Sequence, residues 1–210
     1  MIRDLIAKYK IHWAQKEFVN SAILGAALFV LSLFITYIAS NFAARKASSG
    51  VTDIILDNIP VLNLGLIFIW GAVLLFIIVI VFLVYEPRYL PFTLKSLALF
   101  YIVRSLLMTL THIGPYYESA VLPPNWIINW TLDGGLFFSG HTGMPFLLAL
   151  IFWRYPKLRL ASIAISIIFG ISVLFSHIHY SIDVVAAFFI TYAIFEMAKN
   201  FFPKSYKLTE

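Results

Sequence analysis

Six long runs of apolar residues divide the chain, separated by polar breaks: residues 18–40, 61–85, 92–112, 136–153, 158–176 and 180–198. Each is near the ~20 residues a helix needs to cross a hydrocarbon core, and none alternates with the period of two that marks a half-buried strand. The breaks are a polar loop at 41–60, a turn at 86–91 holding Pro87 and Pro91, and a longer loop at 113–135 rich in proline and aromatic residues. Ahead of the first run, Ile2, Leu5, Ile6, Tyr9 and Trp13 recur at helical spacing among Arg3, Lys8, Lys10 and Lys16. That pattern predicts an amphipathic helix on an anionic membrane face. The expected organisation is an amphipathic segment over 1–17, a six-helix membrane core over 18–200 and a basic tail over 201–210. The fold class is an all-α membrane protein, with no internal repeat and no soluble domain.

Composition agrees. Of the 210 residues 61% are hydrophobic and 12% charged, with a mean hydropathy of +0.91; soluble domains carry about 25% charged residues. No cysteine is present, which excludes disulfides and thiolate metal sites. The net charge of +5 does not form a single stripe, so no nucleic-acid partner is expected.

Charge also sets an orientation. With the N-terminus inside, twelve basic residues fall on inner segments, whereas the outer loops hold only Arg45 and Lys46. The positive-inside rule then puts both termini in the cytoplasm, which six crossings allow. His112, His141, His177, His179 and Asp183 would all lie at outer helix ends. A site there would open to the extracytoplasmic side of a multi-pass membrane protein.

Ionisable residues inside membrane spans are costly and mark function by default. His179 and Asp183, four apart, would share one helical face and pair, fixing the imidazole tautomer and freeing its other nitrogen as nucleophile or base. His141, inside Ser139-Gly140-His141-Thr142, opens the fourth run. Small residues and open amides at a helix start suit an anion, with Ser139, Gly140 and Thr142 as phosphate contacts and His141 as an acid toward a leaving oxygen. Pro145 cannot bond back to the His141 carbonyl, which predicts a bent or partly helical stretch. Arg104, ~12 Å below its helix end, needs an anion: a substrate phosphate, or a neighbour such as Asp53 or Asp133. His177 would point away from His179 on a continuous helix. A bend could bring both toward a divalent cation with His141 and Asp183, but one His-Asp pair plus an acid needs no metal, and no cofactor is expected. Glu118, Asp133, Tyr116 and Trp126 form a possible rim for a cationic head group, or an ordinary aromatic belt.

The stretch Leu136-Phe137-Phe138-Ser139-Gly140-His141-Thr142 resembles the third motif of the sphingomyelin synthase-like branch of the type 2 phosphatidic acid phosphatase superfamily. His179-Tyr180-Ser181-Ile182-Asp183 is similar to its fourth, Arg104 with Thr111 resembles the second, and Asp53, Asp57 and Pro60 echo the first. The resemblance implies a His-His-Asp triad. His179 would attack a lipid phosphorus and carry a phosphohistidine, Asp183 would orient it, and His141 would protonate the departing alkoxide. The phospho-head group of a membrane phospholipid would pass to water or to a lipid alcohol such as diacylglycerol or ceramide. Two departures bear on head group and acceptor: Gly135 stands where the branch has aspartate, and the first motif is incomplete. The wider superfamily's Lys, six residues, then Arg-Pro is absent. Alternatives are a lipid phosphate monoester phosphatase and, from another class, a non-catalytic anion-binding or transport protein.

Overall fold

The computed structural model describes residues 2–120 and 136–210, and every regular element among them is helical. The helices are α1 (Ile2–Trp13), α2 (Lys16–Lys46), α3 (Gly65–Tyr85), α4 (Leu90–Leu110), α5 (Gly140–Ile151), α6 (Pro156–Phe175), α7 (Ser181–Phe201) and the short α8 (Pro203–Lys207). Short 3-10 turns cover Leu56–Asn58 and Pro87–Tyr89.

Five of them, α2, α3, α4 with the turn before it, α6 and α7, are long and apolar enough to cross a membrane. Their outward faces carry exposed Ile23, Val30, Phe34, Leu66, Leu74 and Phe189. Water would penalise so continuous an apolar surface, and lipid does not.

The expected fourth crossing differs. Only Gly140–Ile151 is helical, 12 residues or roughly 18 Å, shorter than a hydrocarbon core. It nevertheless runs between the two ends of the bundle, through the interior: Thr142 to Pro145 and Leu147 to Ile151 are buried. The helix continues through Pro145, where a bent or partly helical stretch was expected, so helical structure is not lost there. Nearby, the Thr142 carbonyl accepts a bond from Ser166 Oγ of α6 at 2.7 Å. A second difference concerns residues 41–46, expected as loop, which prolong α2. Asn41-Phe42-Ala43-Ala44-Arg45-Lys46 holds good helix formers and no glycine or proline, so nothing stops the helix before Ser48-Ser49-Gly50.

Packing places α5 at the centre, against α6 and α7, with α4 and α3 also touching it, while α2 lies along α4. The main core joins Phe92, Phe100, Phe138, Leu147, Leu148, Phe152, Ala187 and Ile194. Aromatic edges interlock Phe82, Tyr89, Phe152 and Tyr155 at one end, with centroids 4.6–5.7 Å apart. The N-terminus of α5 and that of α7 lie together at the other end, beside the C-terminal end of α4. That junction holds the polar groups.

Candidate active site

The α6–α7 junction begins with a helix stop. The amide of His177 bonds to the Leu174 carbonyl at 2.9 Å and that of Ile178 to Val173 at 3.0 Å. This is the paired closure of a Schellman cap, and its left-handed position is held by His177 at φ 51° rather than by glycine. The chain then turns through Ile178 and His179 to an extended Tyr180 (φ −71°, ψ 158°), and α7 starts at Ser181.

His179 therefore precedes the helix, and the expected sharing of a helical face with Asp183 does not hold. The two still meet, for a different reason. Asp183 sits in the first turn of α7, where its Oδ2 accepts the Tyr180 amide at 3.0 Å and the His179 Nδ1–H at 3.2 Å. A carboxylate is favoured at a helix N-terminus, so one group both caps the helix and orients the imidazole. His179 and Asp183 are 3% and 2% exposed.

The second imidazole comes from α5. Ser139 is its N-cap, with Oγ accepting from the Thr142 amide at 3.4 Å and from Thr142 Oγ1 at 3.1 Å. The Ser139 amide donates to the Asp183 carbonyl at 3.1 Å, which locks the starts of α5 and α7 together. With that register fixed, the rings of His141 and His179 face each other with centroids 6.5 Å apart, inclined by 62°. Phe68 packs edge-on against His141 at 5.0 Å.

Arg104 reaches the same place from α4. Its Nε–H donates to the Phe138 carbonyl at 2.9 Å, and a Cβ placed on Gly140 would stand 3.2 Å from that Nε and 3.6 Å from Cζ. Glycine at 140 is what lets the guanidinium lie against the start of α5. Arg104 interacts electrostatically with Asp183 and with His141, and His141 with His179. Arg104 and His141 are partly exposed beside the buried pair. Four side chains from three segments thus surround one spot.

Other expected contacts fall elsewhere. The hydroxyls of Ser139 and Thr142, expected on phosphate, are buried and spent on each other in the cap. Tyr116, expected on a rim, is buried, and its hydroxyl donates to Asp57 Oδ1 at 2.6 Å. Glu118 is exposed, and its carbonyl takes His177 Nδ1–H at 2.9 Å. The His177 ring packs edge-on to Tyr116 at 5.0 Å, so the bend turns it away from a shared cation site with His179. Among the described residues no group of three or more His, Cys, Asp or Glu is placed to hold a metal ion. Trp126 and Asp133 lie outside the described residues. His112 sits at this end too, its ring against Phe42 at 5.6 Å.

Asp53, weighed as an ion partner for Arg104, spends its carboxylate on amides instead: Oδ1 takes Ile55 and Leu56 at 2.9 and 3.2 Å, and Oδ2 takes Ser181 at 2.7 Å. Burial opposes its ionisation, but these bonds outweigh it and hold the carboxyl below the usual aspartate range. Asp57 is lowered as well, chiefly by the Tyr116 hydroxyl, while burial and that same bond push the Tyr116 phenol upward.

No curated protein matches the chain. Residues 134–201, about a third of the chain, match the family model for the C-terminal part of the PAP2 superfamily. The matched stretch covers α5, α6 and α7 and so includes His141, His179 and Asp183 but neither Arg104 nor Asp53. The likeness is to the C-terminal part of that superfamily alone, and it leaves the branch within the superfamily open.

Proposed function

We propose that this protein is a membrane enzyme that cleaves the head group of a phospholipid through a histidine nucleophile and passes it to water or to a lipid hydroxyl. The observation that carries the reading is the pair of imidazoles facing each other at 6.5 Å, one of them held through Nδ1 by a buried aspartate.

Chemistry follows from which nitrogen is engaged. Asp183 holds Nδ1–H, so the lone pair of His179 resides on Nε2. Nε2 attacks the phosphorus, forming an N–P bond as the P–O bond to diacylglycerol breaks. The step requires His141 in its protonated form: it gives that proton to the leaving alkoxide and then accepts one from the incoming hydroxyl. That oxygen attacks phosphorus, the N–P bond breaks, and both histidines return to their starting forms. Asp183 stabilises the positive charge on the phosphorylated ring, and the Arg104 fork holds the non-bridging oxygens, where charge develops. Substrate enters past the partly exposed His141 and Arg104. On the positive-inside argument the site faces the extracytoplasmic leaflet.

The test offers phosphatidylcholine, phosphatidylethanolamine and phosphatidate in mixed micelles to the purified chain, with and without ceramide. Diacylglycerol released from the first two is the expected result. Phosphate released from phosphatidate alone would replace this reading by a monoester phosphatase. No turnover of any lipid, together with anion binding that Arg104→Ala removes, would favour a carrier.

A further inference from the structure

We propose that Asp53 is a positioning residue: from the loop between α2 and α3 it grips the first amide of α7 and so sets where His179 stands. This rests on reading His179 as the nucleophile.

The start of α7 lacks the usual means of holding itself. Its N-cap is Tyr180, whose long side chain makes no capping bond; the hydroxyl instead donates to the Gly114 carbonyl at 2.9 Å and accepts the Val51 amide at 3.1 Å. A short N-cap side chain would ordinarily take an open amide of the first turn. Here two carboxylates do so. Asp183, within the helix, takes the Tyr180 amide, and Asp53, 128 residues earlier, takes that of Ser181 at 2.7 Å. The second bond is charge-assisted and aligned with the helix dipole.

Asp53 is itself firmly set. It is 8% exposed, its other oxygen ties down Ile55 and Leu56, and its carbonyl accepts the Asp57 amide at 2.8 Å. Leu56 is buried with Tyr116 and Tyr180. The same loop reaches the end of α6, where Leu62 donates to Phe175 at 2.7 Å and accepts from Ser176 Oγ at 3.1 Å. His179 lies on the five-residue bridge between these two anchored points. Near-attack geometry is sensitive at the 1 Å scale, where a misplacement costs on the order of 10²-fold. A bond that fixes the residue two positions from the nucleophile therefore acts on turnover rather than on lipid affinity.

The experiment compares four full-length variants in detergent with phosphatidylcholine. Asp53→Ala should lower kcat about 10- to 100-fold with KM within about threefold. Asp53→Asn keeps an acceptor oxygen and should recover most of that loss. Ser181→Pro deletes the donor at a helix position where proline is accepted, after a residue already extended, and should reproduce the Asp53→Ala loss. The Asp53→Ala/Ser181→Pro double variant should then be no worse than either single one. Hydrogen exchange over residues 180–183 is read in parallel and does not depend on turnover; it should quicken in Asp53→Ala and less so in Asp53→Asn. Wild-type kcat in Asp53→Ala, additive losses in the double variant, or unchanged exchange would each overturn the proposal. Absence of lipid turnover in the wild type would sink the functional reading, leaving the exchange comparison to decide on the clamp.

Discussion

Each end of the helix bundle buries ionisable side chains, but they are handled in different ways. At the end bearing the α3–α4 turn, Lys95 is 5% exposed, and its ammonium donates to Ser21 Oγ of α2 at 2.7 Å and to Ser205 Oγ of α8 at 2.9 Å, with the Phe202 ring 5.5 Å away. Glu86 there gathers Lys8 from α1 and Arg88. Apart from the local Glu86–Arg88 pair, these bonds staple one segment to another, and the groups are consumed in doing so. At the histidine end the polar atoms divide into two sets. Ser139, Thr142, Asp53 and the Asp183 carbonyl staple, while His141, Arg104 and the far side of His179 face one another. Burial of charge alone does not mark a site; convergence of several ionisable side chains from different segments on one spot does.

The largest expected effect breaks that comparison most directly. His179→Ala should reduce lipid turnover by at least about 10⁴-fold, the scale seen when a covalent nucleophile is removed, measured well below its melting temperature. Lys95→Met, just as deeply buried, should leave kcat within about twofold. It removes a desolvated cation while Ser21 and Ser205, 2.9 Å apart, remain bonded to each other, so stability should move by no more than about 2 kcal/mol. Turnover assays and thermal melts on the two proteins decide it: a Lys95→Met enzyme as dead as His179→Ala would erase the distinction between the ends.

Arg104→Lys comes next. The guanidinium spends Nε on the Phe138 carbonyl and lies over Gly140, a planar arrangement that an ammonium cannot copy. A loss of roughly 10- to 100-fold in kcat/KM is expected. Gly140→Ala, whose new methyl would press on the same Nε, should give a smaller loss of the same kind. If Gly140→Ala cost more than Arg104→Lys, the glycine would be serving the α5 backbone rather than the arginine.

These contrasts also explain what could be read from the chain beforehand. The long apolar runs dictate helices with little competition, so α3, α4, α6 and α7 fall close to the pattern. The pattern says nothing about lipid contact, which is why residues 136–153 read like the other runs although the helix there is short and buried among them. His141, His179 and Asp183 were legible because ionisable groups in oily sequence are rare. Their pairing was legible as well, though through the wrong geometry, since i and i+4 spacing cannot tell a helix face from a helix start. Asp53 was visible as a polar loop residue, as an ion partner for Arg104 and as part of an incomplete motif, but its bond to the Ser181 amide was not: that amide is 128 residues away, and backbone amides leave no mark in the sequence. Tyr116 was misplaced for a related reason, because its hydroxyl finds Asp57 and that lets the ring go inside.

The smallest expected effect concerns the histidine that the site does not use. His177 occupies a left-handed position where a side chain costs on the order of 1–2 kcal/mol relative to glycine. Its Nδ1–H bond to Glu118 and its edge contact with Tyr116 return a similar amount, while Nε2 is buried without a partner. His177→Gly trades the relieved backbone against those contacts, so its stability should differ from wild type by no more than about 1 kcal/mol. His177→Ala keeps the strained backbone and loses the contacts, and should be destabilised by about 1–3 kcal/mol. In both proteins turnover at a temperature well below melting should stay within about threefold, because the ring is turned toward Tyr116 and away from His179. Denaturant melts set the order of the two variants. A His177→Gly protein that is fully folded yet inactive would place this ring among the reacting groups, and the division between stapling and reacting residues would then have to be drawn again at the α6–α7 junction.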